Sequence, residues 1–165
     1  ALLLGNEVLG GGFLNSRLAT RIRQKDGISY GVGSFLSVSS EDRASRFMGY
    51  AIYAPENAAR VEAAFREELA RVATEGITQE ELDKARQGWL QNQQVGRAND
   101  GQLAGDLQGK VYLGRTMAFD ADLERRVASL TLQQVNGALQ RYLDPAKLTV
   151  VKAGDFAKGR QPASP

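Results

Sequence analysis

The chain has 165 residues, 42% hydrophobic and 24% charged, with 21 basic and 19 acidic side chains. That is enough for one domain with a real core, and too evenly charged to be steered to nucleic acid. It has no cysteine and no histidine, which excludes a disulfide, a thiolate nucleophile, a Ser-His-Asp triad and an intact histidine-based zinc motif within it.

Residues 1 to 9 are apolar and helix-compatible, and Gly10-Gly11-Gly12 is expected to stop them. Because the chain opens on Ala1-Leu2-Leu3-Leu4, like the middle of an element, we expect a piece of a longer protein. An amphipathic helix is predicted next, running to about Lys25, with Leu14, Leu18 and Ile22 as its apolar stripe and Arg17, Arg21 and Arg23 off it. Gly27 is placed to end that helix in the left-handed conformation. Lys25 is expected to pair with Asp26 or a nearby Glu.

Residues 28 to 39 alternate, with Ile28, Tyr30, Val32, Leu36 and Val38 on one face, and predict a half-buried strand. A polar turn at residues 40 to 44 leads to a second strand over residues 46 to 54, antiparallel to the first. Pro55 sits where a first helical residue belongs, and the helix after it carries Val61, Phe65, Leu69 and Val72 on one stripe before Gly76 ends it. Thr78 and Glu81 form a capping box for a helix with Leu82, Ala85 and Trp89 on one face. Asn99-Asp100-Gly101 predicts a break, residues 102 to 113 a helix, and a short helix is expected after Asp120. A second capping box at Thr131 and Gln134 opens a helix that Asp144-Pro145 stops, and Leu148 to Ala153 is predicted to be a last strand. Strands and helices segregate, so the fold class is α+β: an antiparallel sheet with helices packed on one face. The domain is expected to span residues 1 to 156, and residues 157 to 165, with Lys, Gly, Arg, Gln, Pro and Ser, read as a linker or disordered tail. No apolar run approaches membrane-spanning length, so no membrane span is expected.

Several motifs fail on inspection. Gly105 to Val111 has three residues between its glycines where a phosphate loop needs four, and Val follows Lys110 where Ser or Thr is required. The acid pairs Glu67-Glu68 and Glu80-Glu81 have no histidine beside them and read as solvent-facing charge or caps. Asp120 and Asp122 are too sparse for a calcium loop. From spacing alone, Arg23 reads as a helix-end charge that favours the dipole, and Tyr30 as a core aromatic.

The segment from Leu9 to Tyr30 changes that reading. Leu9-Gly10-Gly11-Gly12, Ser16-Arg17-Leu18 and Arg23-Gln24-Lys25-Asp26-Gly27-Ile28-Ser29-Tyr30 resemble the C-terminal, non-metal half of pitrilysin-type (M16) zinc metallopeptidases. The resemblance implies an M16-like α+β domain lacking its first strands. It implies an HxxEH-bearing N-terminal domain or subunit as partner, carrying the zinc, with a peptide substrate enclosed between the halves. It further implies that Arg23 and Tyr30 bind the substrate backbone and help stabilise the transition state. Gly10, Gly11 and Gly12 would line the substrate; on the residues alone they read equally as a helix stop that lets elements meet closely. By this resemblance the chain alone is inactive, with no metal of its own. The same family includes assembly subunits that have lost activity, so a structural subunit is the alternative. An exported, periplasmic location in a bacterium suits the zero cysteine.

Overall fold

The computed structural model describes residues 1–155; the predicted tail at residues 157 to 165 lies outside them. Two strands and six α-helices account for most of the described chain. The strands are β1 (Gly31–Ser37) and β2 (Arg46–Ile52), and the helices α1 (Leu2–Asn6), α2 (Ala58–Glu75), α3 (Gln79–Arg97), α4 (Asp100–Tyr112), α5 (Met117–Ala128) and α6 (Leu132–Tyr142). The fold class is α+β, as predicted.

β1 and β2 form an antiparallel hairpin in the register Val32 to Ala51, Ser34 to Gly49 and Leu36 to Phe47. These pairs point to the helices. Val32 and Ser34 are buried, and Phe47 and Ala51 pack on the core. Two glycines allow the close approach. A Cβ on Gly49 would meet the Phe65 ring of α2 at 2.2 Å, and one on Gly10 would meet the Ser34 backbone nitrogen at 2.5 Å. The opposite pairs, Phe35 with Met48 and Tyr50 with Gly33, leave their large side chains exposed. Alternation therefore buries one face only, as in an antiparallel sheet covered by helices on one side.

The core beneath the hairpin is built from Leu4, Leu9, Leu18, Ile22, Leu69, Val72, Leu82, Val135 and Leu139, all essentially inaccessible to solvent. α1 touches β1, α3 and α6, so it sits centrally among them. α2 ends at Gly76, whose φ of +76° only glycine adopts without strain. Next to it, Asn136 of α6 accepts from the Ile77 N–H at 2.8 Å and donates to the Ile77 carbonyl at 3.1 Å. Both predicted capping boxes are present: Thr78 with Glu81 opens α3, and Thr131 with Gln134 opens α6. Trp89 is partly buried against the core.

Several boundaries differ from expectation. The glycine run does not stop the first helix at Gly10. The coil widens into a π-helical stretch, Glu7–Gly11, closed by the Gly12 N–H donating to the Glu7 carbonyl at 2.8 Å. The next helix starts after Ser16, not after Gly12. Leu14 lies in a 3-10 turn, Phe13–Asn15, and is exposed, so only Leu18 and Ile22 of the predicted stripe are buried. The predicted break is present between Arg97 and Asp100, with Asn99 capping α4, and α5 starts at Met117, where the Thr116 hydroxyl caps it, ahead of Asp120. Leu148 to Ala153 forms no strand. The Lys152 ammonium reaches Glu62 on α2 at 2.5 Å, and the segment has no ladder partner among the described residues.

Candidate functional site

The segment that carries the expected site runs from Gly10 to β1. Ser16 organises its middle. Its buried hydroxyl accepts from the Ala19 N–H at 3.3 Å and donates to the Phe13 carbonyl at 2.8 Å, capping the helix and closing the turn before it. The helix that follows is π-helical over Ala19–Lys25, with the Asp26 N–H donating to the Arg21 carbonyl at 3.0 Å. Gly27, at φ +62°, then turns the chain back toward the hairpin. Single-turn π-helix is rare, and a longer stretch is rarer still. Here it adds a residue to each turn of the segment that bears Arg21 and Arg23.

The arginines of this helix divide by role. Arg17 makes a two-pronged pair with Glu81, with Nε to Oε1 at 2.6 Å and Nη2 to Oε2 at 2.7 Å. Glu81 is also the capping-box residue that accepts from the Thr78 N–H at 2.8 Å. One carboxylate thus ties the start of α3 to the site helix. Burial opposes ionisation of Glu81, but the Arg17 guanidinium and Thr78 outweigh it and hold the carboxyl below its ordinary range. Arg21 pairs with Asp26 at 3.4 Å and Glu67 at 3.3 Å. The expected pairing of Lys25 with Asp26 is therefore replaced by Arg21, and Lys25 is exposed with no hydrogen-bond or ion-pair partner among the described residues.

Arg23 and Tyr30 differ from these structural arginines. Both are exposed, Tyr30 at 74%, and neither side chain has a partner among the described residues. Tyr30 stands immediately before β1, with its backbone N–H donating to the Ile52 carbonyl at 2.8 Å. It is not the core aromatic that its spacing suggested. No hydrogen bond or cation–π contact joins it to Arg23. The two residues present one cationic and one phenolic donor to solvent, seven residues apart on a turn fixed by Gly27.

Gly10 is buried against β1, Gly12 is half-buried and Gly11 is exposed. The packing role of Gly10 is thus plain, and the surface of the run belongs to Gly11 and the residue after Gly12. That residue, Phe13, has φ +50° and is the only non-glycine with positive φ among the described residues. Such a conformation costs a residue with a Cβ about 1–2 kcal/mol, yet the ring is 75% exposed. Neither the Arg17–Glu81 link, which spans 64 residues, nor the strain at Phe13 was found by sequence reasoning. The capping box was a partial signal for the first, since it marks Glu81 as fixed in space. Nothing local signals the second.

No group of three or more Asp or Glu side chains able to hold a metal occurs among the described residues, and the sequence has no His or Cys. The described residues therefore offer no cluster that would hold zinc.

Residues 1–88 match the family described as the peptidase M16 inactive domain. The chain belongs to this family. It is 33% identical over 140 residues to an uncharacterized zinc protease of Streptomyces coelicolor, covering 84% of this chain and 29% of that protein. It is 25% identical over 142 residues to a non-peptidase homolog of Helicobacter pylori, covering 86% of this chain and 32% of the other. Among solved structures, a peptidase M16 inactive domain from Pseudomonas fluorescens superposes with a TM-score of 0.74 at 26% identity, covering 88% of this chain and 34% of that one. The chain thus spans about a third of the length of these relatives. As an M16 inactive domain, it has a fold whose relatives include zinc proteases. No described helix is long and apolar enough to cross a membrane.

Proposed function

We propose that this M16 inactive domain is the substrate-holding half of a zinc endopeptidase, exported from the cytoplasm, and pairs with an HxxEH-bearing domain or subunit to enclose a peptide. The observation that carries the reading is the contrast within one helix. Arg17 and Arg21 are spent on ion pairs, while Arg23 and Tyr30 are left exposed and unpartnered at the family motif. The exposed phenol of Tyr30 offers an apolar ring and a polar tip to a ligand.

In this reading, Arg23 and Tyr30 donate hydrogen bonds to backbone carbonyls of the bound peptide. As the scissile carbonyl gains negative charge, a charged guanidinium and a phenol bind it more tightly than they bind the neutral group, which lowers the barrier. Gly11 and Gly12 line the substrate with their backbone, since the space a Cβ would take there is filled by Asn6 and Glu7. Zinc and the general base belong to the other domain.

The test is a peptidase assay with added zinc on this chain alone, on the HxxEH-bearing domain alone, and on the two together. Activity is expected only in the mixture. Within it, Tyr30→Phe should lower turnover by about 10²–10³, the usual cost of one oxyanion donor, without changing the melting temperature. An unchanged rate removes Tyr30 from the mechanism.

A second reading is favoured by the Helicobacter pylori relative, which is named a non-peptidase homolog. Here the chain is a structural subunit of the same fold. A stable complex with no activity in any combination would select it.

A further inference from the structure

Glu7 is charged, partly withdrawn from water and used by nothing described so far. It opens the π-helical stretch Glu7–Gly11. The glycine run packs directly on it. A Cβ on Gly11 would lie 3.0 Å from Glu7 Oε1, and one on Gly12 would lie 2.6 Å from the Glu7 carbonyl oxygen. Gly11 itself is exposed. The carboxylate therefore borders the accessible part of the run, the stretch that the reading above gives to the peptide.

Nothing in the chain compensates this charge. The neighbouring Asn6 side chain is engaged by β1, donating to the Ser34 carbonyl at 3.5 Å and accepting from the Ser34 hydroxyl at 2.8 Å. The Glu7 side chain has no hydrogen bond or ion pair among the described residues. Burial pushes its carboxyl above the usual carboxylate range, and no basic side chain pulls it back. Glu7 is alone in this. Every other partly or fully buried carboxylate among the described residues holds an Arg or a Lys, as Glu68 holds Arg71, Glu81 holds Arg17 and Asp120 holds Lys110. A charge taken out of water without a partner opposes folding. The fold tolerates one such charge, and it lies at the glycine run.

We propose that Glu7 is a specificity-determining residue that takes a cationic group of a peptide lying along Gly11 and Gly12. An ammonium or guanidinium there supplies the partner that the fold does not, in a charge-assisted hydrogen bond partly shielded from solvent. The inference rests on the peptide-handling reading above and adds to it a preferred substrate chemistry. The cation has two possible sources, a Lys or Arg side chain or the free N-terminus of the peptide.

The experiment uses the chain assembled with its HxxEH-bearing domain, with a chelator present so that peptides stay intact. The peptides carry fluorescein at the C-terminus and are read by anisotropy. One pair has an acetylated N-terminus and an internal Lys or acetyl-lysine. A second pair has no Lys and begins with a free or an acetylated amine. The expected result is a preference of about tenfold for the cationic member of at least one pair, as for one hydrogen bond to a charged group. The pair that shows the preference identifies the source of the cation. Glu7→Gln keeps the shape of the side chain. It should erase the preference and leave the affinity for the uncharged member unchanged. It should also leave the melting temperature at pH 7 unchanged or raise it, because a neutral amide loses no partner there and is less costly to bury.

Equal binding within both pairs overturns the assignment, as does a preference that survives in Glu7→Gln. So does a lowered melting temperature in Glu7→Gln, which would give the carboxylate to the fold. Failure of this inference alone is distinguishable, because peptides would still bind and Tyr30→Phe would still slow their cleavage once zinc is restored. If the assembled wild type binds no peptide, both this assignment and the peptide-handling reading fall.

Discussion

The glycines of this chain do opposite work at different positions. Gly10 is buried where α1 and its π-helical continuation meet β1, and a Cβ there would come within 2.4 Å of the Ser34 hydroxyl and 2.5 Å of its backbone nitrogen. The obstacle is main chain, which cannot rotate away. Gly10→Ala should therefore destabilise the fold by about 1–3 kcal/mol, the range for overpacking, as a lowered urea midpoint. Gly105 sits inside α4 with open space at its Cβ position. Gly105→Ala fills nothing and restricts the unfolded chain, so it should stabilise by about 0.5–1 kcal/mol. Measured on the same urea series, the two substitutions should move in opposite directions. A loss of stability at Gly105 would mean that α4 uses that position for a contact.

Among elements, the governing connection is the one between the site helix and the N-terminus of α3. Glu81 serves as capping residue and as partner of Arg17 at once, and the pair is only partly exposed, at 18% for Arg17 and 29% for Glu81. A double-mutant cycle of Arg17→Ala and Glu81→Ala should show coupling of about 1 kcal/mol, the upper range for pairs that retain some solvent. The Thr78 cap should contribute about as much again, lost in Thr78→Ala. The pH dependence has a definite sign. The carboxyl of Glu81 lies below its ordinary value of 4.5 in the folded protein, because Arg17 and Thr78 outweigh the opposing effect of burial. Its contribution is therefore complete above pH 4.5 and lost as pH falls through the lower folded value. Melting temperature measured from pH 6 downward should fall less steeply for Glu81→Gln than for wild type over that acid window. A parallel course would show that Glu81 titrates alike in both states.

What was legible in the sequence follows from the same distinction between local and distant causes. Capping boxes, the stops at Gly27 and Gly76, the hairpin and the α2 stripe were readable, because each is set by residues within one or two turns of one another. The exposed state of Tyr30 was not, since alternation puts it in phase with buried Val32 and only the end of the sheet takes it out of the core. The strand expected at Leu148 to Ala153 failed for a related reason. Its composition suits a strand, but the segment pairs with neither edge of the hairpin, and Lys152 is engaged with Glu62 of α2 instead. The site motif was readable as a pattern of glycine, arginine and tyrosine. The division of its arginines into structural and free was not, because Asp26, Glu67 and Glu81 are assigned to them by the fold.

At the scale of the whole molecule, the outer face of the hairpin is the least settled surface. Phe35, Met48, Tyr50 and Ile52 lie on it together, with Ile52 60% exposed, and no described element covers them. The sheet has only two strands, so each also has an outer edge without a ladder partner among the described residues. A contiguous apolar face next to unpaired backbone favours association with another surface. The chain studied by itself should accordingly form dimers or larger species at tens of micromolar, visible by sedimentation velocity. Charge placed on this face should oppose that without touching the core, since the buried partners of β1 and β2 point the other way. Ile52→Lys combined with Met48→Lys should shift the distribution to monomer and leave the melting temperature within about 1 kcal/mol equivalent of wild type, as for exposed sites. If the wild type is already monomeric at those concentrations, the face is tolerated in water. If the double variant unfolds, the exposed pairs support the hairpin more than their accessibility implies.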